Sequence, residues 1–454
     1  MTPNMFKEFE LVSEKNWKQQ IQFDLDGKDY NKEVNWVSNE GINVKPFFTE
    51  KYKSLNNVYI PEYWNICQNI YLKQESVSNK EIKKLINQEV YDLTIHVNKD
   101  SINLELLFKE IDLTYINIYF KIDECKYDLL ESLNSYAKEN KTLFHLDYDL
   151  LGHYLSTGNW KSNYSKDIEE FKNLIKKLTH FKSVVQLKSS NYQNSGANII
   201  QELAYSMCQA NEYIKLFGDN IINQLNFQIA IGSNYFFEIA KIQAYRILWK
   251  TISKSYEYPI NDVHIIATPS SRNKTIYDYN NNIVRSTSEC MAAILGGANS
   301  IKNFNYDSIY KNENEFSNRI SRNQLLILKH ECLIDKVKNP ISGSYYISYL
   351  IDELTKKSFE LFKELDSKSS FLNLLKNGTL QRKIKESAQK EQDEFDSKSE
   401  ILVGSNLYLN KDEKMKGQLE VNPFPTRESE KTLIEPVIKK RLARDTEKKR
   451  LENE

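Results

Sequence analysis

Glycine is scarce in this sequence, with 13 residues in a chain of 454. No GxGxxG follows the first strand-like run, so the dinucleotide-binding fingerprint is missing. Cysteine is scarcer still. The five residues, Cys67, Cys125, Cys208, Cys290 and Cys332, are odd in number, widely spaced and never arranged as CxxC. That excludes a disulfide framework and a cysteine zinc site, and it fits free, mostly buried thiols in a reducing cytoplasm. Net charge is also absent: 62 Lys and Arg balance 62 Asp and Glu. Non-specific nucleic-acid binding needs a net basic face, so no nucleic-acid partner is expected. Long apolar runs are missing; "IIATP" and "CMAAILGGA" are among the longest. No membrane span is expected, because a spanning helix needs about 20 apolar residues. "MTPNMFKEFELVSEKNWK" lacks the basic and apolar regions of a secretory leader, which gives a cytoplasmic expectation. The six histidines form no HExxH, HxxxH or Cys/His cluster, so no metal site is expected.

What the chain does have is hydrophobic content, at 40%, and a regular alternation of pattern. Strand-like runs occupy 91–97, 114–120, 142–150, 183–187, 226–232 and 262–268. Helical periodicity lies between them at 126–138, 166–178, 196–216 and 234–253. Alternating strands and helices predict βα units and a parallel sheet. With further strand candidates at 298–304 and near 401–408, the pattern predicts a (β/α)8 barrel, an α/β fold of TIM type. An open doubly wound sheet is the alternative. Three parts are expected: an extended arm over 1–61, the barrel over 62–409, and a linker with a charged C-terminal helix over 410–454. Apolar Trp17, Phe23 and Trp36 stand in an arm with little core of its own, so the arm is expected to pack on another subunit.

Several polar groups are candidates for chemistry. His96, His145 and His264 each sit inside an apolar strand run. A histidine at a barrel mouth can be an acid, a base or a ligand, but a satisfied core histidine is the commoner case. "GGANS", Gly296–Ser300, could bring backbone close to a phosphate, yet a helix C-cap turn explains it more simply. Glu238, Lys241 and Arg246 share one helix. Their spacing reads as ordinary surface pairing. Arg272, Asn273, Lys274 and Thr275 follow the 262–268 strand, where a barrel carries its site, and Arg285, Thr287 and Glu289 open the next helix. A ligand site and a polar rim both remain open there.

Five stretches taken together resemble one family: "NEGINVKPFFT", "NSGANIIQELAYSMCQANEYI", "GSNYFFEIAKIQAYRILW", "NKTIYDYNNNIVRSTSECMAAILGGANSI" and "RISRNQLLILKHECLIDKVKNPISGSYYISYLIDEL". In this order, over about residues 36–450, they are similar to the substrate-binding barrel of adenosylcobalamin-dependent acyl-CoA mutases, methylmalonyl-CoA mutase above all. Catalytic members of that family continue into a flavodoxin-like cobalamin domain whose DxHxxG histidine ligates cobalt. No DxHxxG occurs here. The resemblance therefore implies no cobalamin-binding flavodoxin-like domain in this sequence.

The family pattern is also broken around the barrel mouth. Catalytic members carry RGPYxTMY after the EGIxVKP motif. Here "KSLNNVYIPEYWNICQNI" stands instead, with Tyr63, Trp64 and Ile66 as the matching remnant. The family's Tyr-His pair, whose histidine contacts the thioester carbonyl, is replaced by Ser190 and Asn191 in "SSNYQNSG". "HLDYDLLGHYLSTGNWK" lacks the arginine that the family uses for the substrate carboxylate, and the family's QTSG reads Thr268-Pro269-Ser270-Ser271. Asparagine can still donate a hydrogen bond but cannot usefully carry a proton.

This pattern resembles the small subunits of heterodimeric bacterial methylmalonyl-CoA mutases. It implies no catalytic, cofactor-binding or metal-binding residues in this chain. It further implies adenosylcobalamin in a large partner subunit that interconverts methylmalonyl-CoA and succinyl-CoA, and a chain inactive alone. Two alternatives stay open: the barrel chain of a split active mutase, and an accessory protein that retains CoA-ester binding.

Overall fold

Nine parallel strand segments form one sheet, and two of them are halves of a single strand. The computed structural model describes residues 12–52, 58–122, 126–258, 262–425 and 431–454. The strands are β1 Asn65–Tyr71, β2 Val90–Val97, β3 Asn117–Ile122, β4 Phe144–Leu146, β5, β6 Leu225–Ile231, β7 Ile265–Pro269 and β8 Ser300–Ile301. β5 is broken at Val184 into Phe181–Ser183 and Val185–Lys188. Its first half pairs with β4 and its second half with β6. β8 returns to pair with β1, Ser300 opposite Asn65, so eight strand positions close into a barrel. Among the described residues the other sheet is a two-stranded hairpin, Trp36–Val37 with Asn43–Val44. No flavodoxin-like sheet accompanies the barrel among the described residues.

The expected strands at 91–97, 114–120, 183–187, 226–232 and 262–268 lie on β2, β3, β5, β6 and β7. The expected 142–150 run is strand only over Phe144–Leu146, because Asp149 caps a helix, Leu150–Thr157, by accepting from the Gly152 N–H. The 298–304 candidate holds the two-residue β8. The 401–408 candidate is a turn with one isolated bridge, Val403 to Leu407. The missing strand is β1, which sequence periodicity overlooked. It carries Asn65, Gln68 and Asn69, and its register shifts between Ile66 and Cys67, so it shows no clean alternation. Every later strand is therefore one place further round the barrel than its pattern suggested.

The helices form an outer layer. The capping box at Asn198 and Gln201 starts Ile199–Phe217, which is buried along most of its length. It lies beside Tyr235–Lys254, and Tyr345–Lys368 packs over both. The Gly296-Gly297 pair is a C-cap: Gly297 takes φ +87° after Asn281–Gly296, and a Cβ there would stand 3.0 Å from Ile60 Cδ1.

The two ends of the chain behave differently. In the arm, Ile42 is fully buried, Phe48 stacks on Tyr346 at 5.0 Å, and the Tyr349 hydroxyl donates to Asn43 O at 2.9 Å. This half of the arm lies on its own barrel. The preceding helix, Glu14–Asp24, buries no residue, and Phe23 is 81% exposed. The expected C-terminal helix is limited to Arg444–Glu452. Residues before it run as an extended strap whose backbone bonds to barrel loops: Val437 N–H to Leu155 O at 2.9 Å, Lys440 N–H to Asn194 O at 3.0 Å and Leu442 N–H to Arg272 O at 2.9 Å. Backbone groups satisfied by the barrel cannot also form a helix.

Candidate barrel-mouth site

The C-terminal ends of the strands carry the positions where the sequence pattern is broken. Ser190 and Asn191 open a one-turn helix, Ser190–Asn194, directly after β5, and both are buried. The neighbouring side chains bond to one another. Asn194 Oδ1 accepts from Ser270 Oγ at 3.1 Å, from Ser271 Oγ at 3.0 Å and from Ser271 N–H at 2.9 Å. Ser270 Oγ also donates to Gln193 Oε1 at 2.7 Å. The two replaced segments after β5 and β7 thus lock each other, and the strap closes over them at Lys440. A donor already satisfied internally is a poor donor to a ligand.

The β4 end shows the same trend. Asp147 pairs with Lys188 at 3.1 Å. Burial opposes its ionisation, but Lys188, Lys302 and Lys121 outweigh burial and hold the carboxyl below its usual value. Asp149 accepts from Lys188 N–H at 2.7 Å, Tyr213 Oη at 2.8 Å and Gln209 Nε2 at 2.9 Å. Its burial nonetheless raises its pKa. Where an arginine could face a substrate carboxylate, the protein has two buried carboxylates, Asp147 paired by charge with Lys188 and Asp149 held by hydrogen bonds. Residues 53–57, the start of the segment that replaces RGPY, lie outside the described residues. Tyr63 is 76% exposed, whereas Trp64 is buried.

Below the mouth the barrel axis is filled by polar groups. Tyr119 stacks on His145 with centroids 4.4 Å apart. Its hydroxyl lies 2.9 Å from His264 Nε2. His145 Nδ1 is 2.8 Å from Ser183 Oγ, to which Asn226 Nδ2 also donates at 2.8 Å. Asp92 accepts from Asn65 and Asn117, each at 2.8 Å, and from Ser300. Burial pushes His145 well below the normal histidine range, and desolvation, with help from Lys182 and Arg246, takes His264 to about 3. His96 stacks on Tyr71 at 4.3 Å and bonds Asn69 at 3.1 Å. His145 and His264 belong to the barrel filling, the commoner reading of such positions, whereas His96 is half-buried near the end of β2, beside the exposed Tyr71.

The remaining candidates are buried ion pairs. Lys241 is fully buried between Glu202 Oε2 at 2.9 Å and Glu238 Oε2 at 2.6 Å, so the expected surface pairing does not hold. The helix is covered by its neighbours, and Glu202 comes from one of them. Glu238 Oε2 is close to the ammonium but outside hydrogen-bond geometry, so that contact is one of charge. Arg246 is capped by Val263 O, Gly297 O and Asn299 Oδ1, each at 2.7 Å. Lys274 and Glu289 pair at 2.7 Å with both side chains enclosed, and Asn273 donates to the same carboxylate. Arg272 holds Glu391 and Lys440 O. Arg285 binds Thr275 Oγ1, Asn282 Oδ1 and Val403 O. The segment Arg272–Thr275 is therefore buried and anchors the strap and the following helix. No cluster of three His, Cys, Asp or Glu groups suited to a metal occurs among the described residues. No helix there is long and apolar enough to cross a membrane.

Comparison with known proteins is consistent with this geometry. The family model described as methylmalonyl-CoA mutase matches residues 95–452. The methylmalonyl-CoA mutase small subunit of Porphyromonas gingivalis is 30% identical over 440 residues, covering 89% of this chain and 71% of that protein. The methylmalonyl-CoA mutase of Rhizobium meliloti is 26% identical over 504 residues, covering 97% of this chain and 69% of that protein. The large subunit from P. gingivalis is 32% identical over 233 residues, but these cover 49% of this chain and 33% of that protein.

Proposed function

The chain belongs to the methylmalonyl-CoA mutase family, and from that premise we propose that it is a non-catalytic small subunit. Its partner is a large subunit that binds adenosylcobalamin and interconverts methylmalonyl-CoA and succinyl-CoA. One observation carries the reading: the segments after β5 and β7 are hydrogen-bonded to each other, with Asn194 and Gln193 accepting from Ser270 and Ser271. Ser190 and Asn191, buried beside them, cannot usefully carry a proton. The Tyr119–His145–His264 filling argues in the same direction, because a ligand lying along the axis would have to displace a hydrogen-bonded plug.

In this reading adenosylcobalamin is held by the partner, and none of the three strand histidines is placed to ligate it. His145 and His264 are held by hydrogen bonds inside the barrel, and His96 is stacked on Tyr71. In this reading the small subunit completes a heterodimer and supports the large barrel. The division into a subunit-contact arm over 1–61, a barrel over 62–409 and a tail over 410–454, and a cytoplasmic location, belong to the same proposal.

The test is reconstitution. The purified chain is expected to show no mutase turnover with added adenosylcobalamin and to retain no cobalamin absorbance. With a large subunit it is expected to form a 1:1 complex that is active. Ser190→Tyr with Asn191→His should add no turnover to the isolated chain, because the cofactor starts the radical chemistry and protein side chains cannot replace it. Turnover by the isolated chain with added cofactor would support the split-mutase alternative and end this reading.

A further inference from the structure

A second corner of the mouth, on the β8–β1 side away from Ser190 and Asn191, is built differently. It holds a cavity of about 430 Å³ whose wall includes Cys67, Gln228, Thr268, Lys302, Lys311 and Arg322. Here, among the described residues, neither Lys302 nor Arg322 has a carboxylate within ion-pair distance, and the acids that feel their charge, Asp147, Glu313 and Glu315, are engaged by other partners. Lys302 follows β8 and reaches inward, with Nζ 3.1 Å from Thr94 Oγ1 on β2. Among the described residues it makes no ion pair; Asp147, which feels its charge, is paired with Lys188. Arg322 is 8% exposed and donates from Nη1 to Gln68 Oε1 at 3.2 Å. Its Nε is buried with no hydrogen-bond partner, and no carboxylate pairs with the guanidinium among the described residues. Thr268 Oγ1, on the same wall, is also buried without a partner.

Buried polar groups are nearly always satisfied, and a buried cation without a counter-charge is costly. Two carboxylates also border the cavity, but each has a partner. Asp307 accepts from Asn314 Nδ2 at 3.0 Å, and Glu313 accepts from Asn318 Nδ2 at 2.9 Å. Glu313 is exposed, so it belongs to the outer edge. The inner end, where Lys302 and Arg322 are tied to the strands through Thr94 and Gln68, is cationic and supplied with unused donors. We propose that this cavity binds a small oxyanion, a carboxylate or a phosphate group, held by Lys302 and Arg322. The site does not depend on whether the chain is catalytic. Of the positions at which the catalytic pattern is broken, its wall includes Thr268 but neither Ser190 nor Asn191.

Calorimetric titration of the full chain at constant ionic strength tests it, with inorganic phosphate, acetate, succinate and neutral succinamide as probes. At least one oxyanion should bind and succinamide should not. Phosphate alone would assign a phosphate-bearing ligand, and acetate or succinate alone a carboxylate. Lys302→Gln should weaken binding at least ~10-fold, since a charge-assisted hydrogen bond is lost. Circular dichroism establishes that the variant is folded. If it is not, Lys311→Gln at the half-buried rim decides: a loss of about threefold supports the site, and unchanged affinity overturns it. Absence of heat with every oxyanion, equal binding of succinamide, or an affinity that Lys302→Gln leaves within about twofold of wild type would each overturn it.

Discussion

Replacing Lys241 by methionine would isolate the charge term of the interior, because the two side chains are similar in length and Met packs without strain. Lys241 is fully enclosed, with Glu202 Oε2 at 2.9 Å and Glu238 Oε2 at 2.6 Å, and it also donates to Ala230 O at 2.6 Å. Removing the ammonium leaves two carboxylates facing each other without water. Breaking a buried pair by deleting one partner costs about 3–5 kcal/mol, far above the loss from a surface pair. The pH dependence gives the argument a second handle. Glu202 already has a raised pKa, from burial first and from Glu238 after the opposing pull of Lys241. A carboxyl whose folded pKa lies above its unfolded value is stabilising when protonated, and that contribution fades as pH rises through the folded pKa. Lys241→Met removes the pull that lowers it, so the variant should recover stability as pH falls from 7.5 towards 5, more steeply than wild type. Urea unfolding at several pH values measures both effects, and Lys241→Met with Glu202→Gln should recover part of the loss at pH 7.5. A loss below about 1 kcal/mol at neutral pH, or a loss that does not change with pH, would refute the claim that this triad is desolvated and charged.

Three further outcomes follow from other parts of the molecule. His145 is neutral in the fold, with its pKa depressed by burial, so below the ordinary value of 6.5 the unfolded chain takes up a proton that the folded chain refuses. Stability should fall with acidification by about 1.4 kcal/mol per pH unit for this group, and urea midpoints should show a shallower pH slope in His145→Gln. Arg441 pairs with Glu447, and Glu447 accepts the Ile276 N–H at 2.8 Å. Arg441→Met should therefore free the strap, seen as tryptic cleavage after Lys439 or Lys440 that wild type resists; identical digestion patterns would count against it. Phe23, at 81% exposure on a helix with no buried residue, should tolerate Phe23→Asp with no change in unfolding midpoint, while pull-down of a large subunit drops at least ~10-fold.

The barrel was legible in the sequence because most of its strands and helices follow their simple periods. Where the reading failed, the cause is the polar interior. β1 carries Asn65 and Asn69 on the axis side, where they bond Asp92 and His96, so it lacks the apolar run that marks a buried strand. Without β1 the eighth strand position falls to the 401–408 segment, which is a turn with one isolated bridge. The Glu238–Lys241 spacing looked like a surface pair because a helix does not reveal from its own sequence that a neighbour will cover both faces. Glu202 lies 39 residues before Lys241, and only the packing of two helices brings them together. Lys302 and Arg322 were not marked at all. Their signal is the lack of a carboxylate partner in three dimensions, which no spacing along the chain encodes.

Under the proposed non-catalytic reading, these features bear on how a barrel can lose a site and keep its fold. The strands and outer helices are held by apolar packing that does not involve the mouth, so replacements there leave the framework intact. The mouth cannot simply be left open, because polar groups at strand ends need partners once water is excluded. After β5 and β7 the need is met by serine and amide side chains bonding across to each other. Along the axis it is met by Tyr119, His145 and His264. At the rim it is met by the strap, which brings its own backbone donors to Asn194 and Arg272. A working acyl-CoA site requires the opposite condition: donors held ready and unpaired until substrate arrives. The β8–β1 corner, with Lys302 and the unpaired Nε of Arg322, is where that condition is met in this chain. Any ligand the subunit binds by charge should therefore be recognised there, and Ser190 and Asn191 should be insensitive to it.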